Sequence, residues 1–349
     1  SPPHSCGGMK DCQTDIYKVV NSELKYTDIK LLANLNPFKI LANPIVLYYY
    51  QYNTFAWIQT IMDNVDKIKR LTIIAMVSND YLMERLVLKG GNAIDIVYKL
   101  SGRASIDLDY SMQNDFNRHE LSKVSEIINT VLSTTFAEEG LSVFDLKFEV
   151  KPSGICQIDE MEFWGGYTIE FKLIPNDFLS EHPDNIRLLR KNASIVGPDN
   201  RRTFKIDIGK FEYCSGKVAK ELDGYTIYVY STEMLVLEKL RAICQQIPGY
   251  REIVKSHPPA ARARDFFDIY TITQQFPIDM NSQRIKELLA AIFSVKKVPL
   301  DYLNQISSHR DFHRADFVSL KDTVKSGVEL KDYDFYFDYV IDMINTTKL

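Results

Sequence analysis

Cysteine is scarce in this chain, and what there is forms no pattern. Five are present in 349 residues (Cys6, Cys12, Cys156, Cys214 and Cys244), an odd and widely spaced set with no CxxC pair. Neither a disulfide framework nor a zinc knuckle is supported, and a reducing, cytoplasmic setting is expected. Long apolar runs are missing too. The longest, such as Ile45 to Tyr50, fall far short of the roughly 18 residues a membrane span needs, and no export leader is recognisable at the start. Charge of one sign is absent: 42 Lys and Arg against 46 Asp and Glu leave a net charge of -4. Any contact with a polyanion must therefore come from a local patch. No nucleophile elbow, Walker loop, Rossmann fingerprint or repeat of 20 to 50 residues occurs.

What is present is a globular balance, 45% hydrophobic and 25% charged, on a chain long enough for one large or two to three ordinary domains. From Tyr17 to about Met83 the pattern is mostly helical, interrupted at Pro37 and Pro44. The middle third changes period. Leu86–Leu88, Ser105–Tyr110, Tyr167–Leu173, Arg202–Ile208 and Tyr225–Tyr230 read as strands, most of them by alternation. Leu121, Val124, Ile128, Val131 and Leu132 form one helical stripe among them, which Gly140 suits as a terminator. From Ser231, a natural N-cap, the chain reads as helices again, including Arg262–Gln274, Ser282–Phe293 and Asp334–Asn345. The expected fold is a mixed α/β (α+β) sheet with flanking helices: a helical region at 1–80, a sheet core at 81–230 and a helical region at 231–349.

Two stretches carry chemistry. In Leu86-Val87-Leu88-Lys89-Gly90-Gly91-Asn92-Ala93-Ile94, a strand runs into two glycines and a helix is expected from Asn92, placed as its N-cap. Glycines let backbone amides approach a phosphate at a helix start, although a tight turn without ligand has the same appearance. Next comes Ser105-Ile106-Asp107-Leu108-Asp109-Tyr110-Ser111. On a strand, Asp107 and Asp109 share a face. Aspartate is disfavoured in strands and two neighbouring carboxylates repel, so a divalent cation such as magnesium between them is expected; surface charge is the competing reading.

Together these residues resemble the nucleotidyltransferase superfamily, and more narrowly the AbiEii/AbiGii toxin family, which includes the MenT toxins. Lys89, Gly90, Gly91, Ala93, Ser105, Asp107, Leu108 and Asp109 match its Lys-Gly-Gly-(Thr/Ser)-Ala and Ser-x-Asp-Leu-Asp pattern; Asn92 stands where the family has a hydroxyl residue. Three further segments resemble the family. Phe204-Lys205-Ile206-Asp207-Ile208 is similar to a strand bearing a third acid, Asp207. Leu237-Glu238-Lys239-Leu240-Arg241-Ala242 and Arg262-Ala263-Arg264-Asp265-Phe266-Phe267-Asp268-Ile269-Tyr270 resemble its Glu-Lys-Leu-x-Ala and Arg-Asp-x-x-Asp-(Leu/Ile)-Tyr segments. The resemblance implies a nucleotidyltransferase-like fold. Lys89, Gly90, Gly91, Asn92, Ser105 and Lys239 would hold the nucleoside triphosphate, and Asp107, Asp109 and Asp207 would hold Mg2+ or Mn2+. Of Asp265 and Asp268, three apart on one helical face, Asp265 is assigned to the site and Asp268 to an i, i+4 pair with Arg264.

The same resemblance implies an acceptor that is RNA, in particular the 3′ end of tRNA, and a cognate antitoxin as partner, with no membrane involved. Transfer to a small molecule or protein, phosphoryl transfer, and a nucleotide-binding partner protein without chemistry are the competing functions. Basic residues gather between Arg187 and Lys205 and again between Lys239 and Arg264, where a polyanion would be attracted or where solvated faces simply lie. His309 and His313 have a spacing that can serve a metal, but Arg310 and Arg314 beside them favour a surface helix.

Overall fold

Alternation in two segments sets the centre of the architecture: every second residue of Tyr167–Leu173 and of Phe204–Ile208 is large and apolar, so each strand has one face that must be covered. A computed structural model describes residues 64–100, 102–152, 162–197, 200–325 and 327–347. These fall in a compact unit spanning Asn64–Leu349. Of the helical region expected at 1–80, the part up to residue 63 lies outside the described residues, as do Cys6, Cys12 and Cys156.

In chain order the elements are helix α1 (residues 64–77), β1 (Val87–Lys89), β2 (Leu108–Ser111), α2 (Leu121–Glu138), β3 (Leu141–Lys151), β4 (Gly166–Pro175), β5 (Phe204–Gly209), β6 (Val218–Leu222) and β7 (Tyr225–Val229). The longer helices α3 (Thr232–Cys244), α4 (Ala263–Gln275), α5 (Gln283–Ser294) and α6 (Tyr333–Asn345) follow. The strands form one seven-stranded mixed sheet in the order β3-β4-β5-β2-β1-β7-β6. The pairs β2–β5 and β1–β7 are parallel and the others antiparallel. The mixed α/β fold with a C-terminal helical region is thus as expected.

Register turns the alternation into two faces. Ile169, Ile206 and Leu108 are partners across β4, β5 and β2, and their apolar face is covered by α2, whose Val124, Ile128, Leu132 and Phe136 are buried. Phe136 meets Phe171 of β4, ring centroids 5.8 Å apart. The opposite face of the same strands carries the polar side chains. At the C-terminal end, α4 packs on α6 through a cluster of rings. Phe266 stacks on Phe337 at 5.1 Å, and Tyr270 meets Tyr336 at 5.4 Å and Tyr339 at 5.0 Å. That packing fixes which side of α4 faces the sheet.

Three sequence expectations change. The strand expected over Ser105–Tyr110 begins only at Leu108: before it the backbone is engaged outside the sheet, Ala104 N–H donating to Thr323 O at 2.8 Å and Asp107 O accepting from the Asn92 side chain at 2.6 Å. Strands β3 and β6 were not expected; β3 breaks its alternation at a register shift between Phe144 and Lys147, and Val-Ala-Lys-Glu-Leu in β6 does not alternate at all. His313 is not on a surface helix. It is buried, takes the Arg262 N–H on Nδ1 at 3.2 Å, and burial lowers its pKa to about 4. The Ser231 cap holds, accepting the Met234 N–H. Among the described residues no helix is long and apolar enough to cross a membrane.

The β4–β5 register is testable at Gly166, where a Cβ would collide with the carbonyl oxygen of Ile208 on the partner strand. Gly166→Ala is expected to cost at least about 3 kcal/mol, since backbone cannot move aside as a side chain does. Gly140→Ala, at φ +73 with no described atom within 4 Å, should cost only roughly 1–2 kcal/mol of backbone strain. Urea unfolding of the two variants measures the difference; equal losses would contradict the register.

Candidate active site

The polar face presents its residues in a line. Thr168, Asp207, Asp109 and Lys89 are register partners across β4, β5, β2 and β1. Thr168 Oγ1 donates to Asp207 Oδ1 at 2.7 Å, and Lys205 Nζ donates to Asp207 Oδ2. Asp207 and Asp109 therefore stand side by side on neighbouring parallel strands although 98 residues apart in the chain. Asp107 lies just before β2, where Arg201 donates to its Oδ1.

The Gly-Gly turn closes over this line from β1. Gly90 has φ +71, and a Cβ there would stand 2.5 Å from Asp109 Oδ2, so only glycine lets the turn lie on the carboxylate. Gly91 is pressed on its other side against Ser105 and Arg103. The helical turn starts at Gly90, with Lys89 rather than Asn92 in the N-cap position. Asn92 is fully buried inside the turn, and its Nδ2 donates to Asp107 O at 2.6 Å. It clips the glycine turn to the aspartate strand, a task that an amide performs and that does not place its side chain toward solvent.

Burial raises the Asp109 carboxyl; Lys89 opposes this, while Asp207, Glu238 and Asp107 add repulsion, and the balance puts the pKa at about 6. The ion implied by the resemblance can be tested against these donors. Among the described residues no group of three or more acidic, histidine or cysteine side chains is placed to hold a metal ion. The adjacent pair Asp109 and Asp207 does fit magnesium, which commonly takes one or two carboxylates and completes its shell with water and substrate phosphate. Asp107 and Asp207 are paired with Arg201 and Lys205, cations that offset the repulsion in the protein by itself.

Lys239, on α3, is 4% exposed. Its ammonium donates to Asp265 Oδ1 at 2.9 Å and to Asp268 Oδ2 at 2.7 Å, both on α4. Burial by itself would lower the lysine pKa, but the two carboxylates outweigh it and raise the value. Asp268 also takes a two-point contact from Arg103, at 2.8 and 2.6 Å. Burial would raise its pKa, yet Arg103 and Lys239 hold it at about 2. The expected Arg264–Asp268 pair is replaced: Arg264 faces Asp316 at 4.0 Å, because the ring cluster turns Asp268 inward. Asp265 keeps its contact with Lys239, and its Oδ2 finds no hydrogen-bond partner among the described residues.

A second buried ion cluster escaped the sequence reading. Lys89 lies 3.6 Å from Glu212 and 3.5 Å from Glu238, and Glu212 also meets Arg241 at 3.2 Å and Lys296 at 3.4 Å. Burial would raise the Glu212 pKa, but Arg241, Lys296 and Lys89 bring it to about 2. Its members come from four distant parts of the chain and have no shared motif; Lys89, Glu238 and Arg241 sit in segments already singled out, whereas Glu212 and Lys296 do not. Arg103 was likewise missed, although it is only two residues before Ser105. Of the basic residues noted between 187 and 205, Arg201 and Lys205 reach the aspartates, whereas Arg190 pairs with Asp145.

The model of the family described as "Nucleotidyl transferase AbiEii toxin, Type IV TA system" matches residues 73–339. None of the curated proteins is similar to the chain at a significant level. Among solved structures, a candidate nucleotidyltransferase from H. pylori is 15% identical, covering 81% of this chain and 92% of its own, with a TM-score of 0.42. An antigenic nucleotidyltransferase-like protein from Paracoccidioides brasiliensis is also 15% identical, covering 66% of this chain and 93% of its own, with a TM-score of 0.28.

The state of Asp109 has a measurable consequence. A carboxyl whose folded pKa exceeds its unfolded value costs stability once ionised, so stability should fall as pH rises from 3.8 to about 6 and stay low above that. At pH 7 in chelator, Asp109→Asn is expected to stabilise the protein by on the order of 1–3 kcal/mol. Magnesium should raise the melting temperature of the unaltered protein and not that of the variant. A variant less stable than the parent in chelator would contradict the electrostatic account.

Proposed function

The chain belongs to the AbiEii nucleotidyltransferase toxin family of type IV toxin–antitoxin systems, and from that premise we propose that it transfers a nucleotide from a nucleoside triphosphate to the 3′-terminal hydroxyl of an RNA, with tRNA as the acceptor. Membership implies an NTP substrate and an antitoxin partner. The observation that carries the rest is the line Thr168–Asp207–Asp109–Lys89 with the Gly90 backbone lying directly on Asp109. It sets phosphate-binding amides and clustered carboxylates within reach of the same small group.

In this reading the amides of the Gly90–Gly91 turn receive phosphate oxygens at the start of a helical turn, and Ser105, packed on Gly91, offers a hydroxyl beside them. Lys239 supplies a point charge to the triphosphate, oriented by Asp265. Asp109 and Asp207 would hold a divalent cation, magnesium by the chemistry of the donors, with Asp107 at the margin; when bound it supplies charge neutralisation at the reacting phosphate. Asp207 accepts the acceptor hydroxyl's proton as the oxygen attacks the α-phosphorus. The bond from the α-phosphorus to the bridging oxygen breaks, and pyrophosphate leaves. Positioning and fixed charge account for most of the acceleration. The helical region after residue 231 contributes Lys239 and Asp265 and so completes the site begun by the sheet.

Arg201 and Lys205 beside the aspartates give an RNA backbone an approach of opposite charge, which supports a polyanionic acceptor. Incubation with magnesium, total tRNA and each NTP labelled at the α- or γ-phosphate tests the reading. Label is expected to pass from the α-phosphate to tRNA, and Asp107→Ala should reduce it by roughly 10²-fold or more without lowering the melting temperature. Transfer from the γ-phosphate would establish phosphoryl transfer instead, and binding with no transfer would establish a partner protein.

A further inference from the structure

Between the glycine turn and the aspartates runs a short segment that the proposed chemistry does not use. Arg103 lies in it, and three observations connect it to the triphosphate subsite. First, its Nη2 lies 3.3 Å from where a Cβ on Gly91 would be, so the guanidinium packs against the turn itself. Second, it forks onto both oxygens of Asp268, through Nε at 2.8 Å and Nη2 at 2.6 Å. Third, the oxygen that takes Nη2 is the one that takes the Lys239 ammonium at 2.7 Å. Two cations from opposite parts of the chain thus converge on a single atom of a carboxylate that is 3% exposed.

The backbone around Arg103 is pinned as well. Arg103 forms a β-bridge with Val324, Ala104 N–H donates to Thr323 O at 2.8 Å, and Lys325 N–H donates to Gly102 O at 3.2 Å. The arginine is therefore delivered to Asp268 by a fixed strap rather than by a free loop.

Resting on the nucleotidyltransferase reading, we infer that Arg103 is a positioning residue that sets Lys239 for the triphosphate by locking Asp268 in place. Arg103, Lys239, Asp265 and Asp268 together carry no net charge, and Arg262 stands 3.7 Å from Asp265 Oδ2. Without Arg103, Lys239 is the cation left on Asp268 among the described residues, a positive charge is lost beside the glycine turn, and a triphosphate approaching the turn is held less well. One Asp268 oxygen loses its partner and is free to draw the ammonium away from the turn. Charge alone does not replace the arginine, since a lysine lacks the planar fork that engages both oxygens. Asp268 is then part of the subsite, holding both cations, beyond the purely helical role that its spacing from Arg264 suggests.

The test uses the full chain with labelled NTP and tRNA, giving KM for NTP and kcat, alongside thermal melting and equilibrium binding of a fluorescent non-hydrolysable NTP analogue. Arg103→Met should raise KM and weaken analogue binding by roughly tenfold or more. Arg103→Lys should recover only part of that loss, and it serves as the measured variant if Arg103→Met fails to fold. In Lys239→Met protein, adding Arg103→Met should cost little more, because residues acting as one unit are not additive. Full rescue by lysine, an unchanged KM in a folded variant, or losses that multiply in the double variant would each overturn the inference. If the unaltered protein transfers no label, the proposed function fails, and the analogue-binding series still decides the role of Arg103.

Discussion

Two like charges held side by side govern this protein. Asp109 and Asp207 are register partners on parallel strands, and the arrangement costs free energy that a hydrophobic pair would not. Much of the polar face can be understood as a response to that repulsion. Thr168 and Lys205 bond to Asp207, Arg201 to Asp107, and Lys89 stands across the ladder from Asp109. Even so, burial leaves the Asp109 carboxyl with a pKa near 6. A site that carries such unresolved repulsion is suited to a divalent cation, whose binding would relieve it and offer charge to a polyphosphate.

The two buried ion clusters have different tasks. Around Glu212, three cations surround one carboxylate, with Glu238 completing the set, and Lys89 is the member that reaches the aspartate line. Around Asp268, Arg103 and Lys239 converge on one carboxylate, and Lys239 is the member proposed to serve the triphosphate. One helix, α3, supplies Glu238 and Arg241 to the first and Lys239 to the second. Buried ion pairs contribute little net stability compared with apolar packing, but they fix geometry, because breaking one leaves a charge with no water to replace its partner.

Much of the sheet was legible because its physics is local. Alternation identified β4, β5 and β7, since a period of two is what a strand with one covered face requires. The bulge in β3 and the absence of alternation in β6 removed that signal, and both strands were missed. The segment 105–107 was read as strand because nothing in its composition says that the Asn92 side chain will claim the Asp107 carbonyl or that Thr323 will hold Ala104 just before it. In the candidate site, Asp107, Asp109, Asp207, Lys239 and Asp265 were visible as short motifs. Arg103, Thr168 and Glu212 were not, since each acts through partners distant in the chain.

Sequence alone singled out the side chains that the proposed chemistry uses and several of the strands, because residue type and short-range periodicity are properties of neighbouring positions. Tertiary structure decided how those side chains are paired. Register placed Asp207 beside Asp109, ring packing between α4 and α6 turned Asp268 toward Lys239, and a backbone bridge to Val324 delivered Arg103 to both. These outcomes depend on contacts between elements far apart along the chain, where Coulomb forces act across space and leave no trace in local spacing.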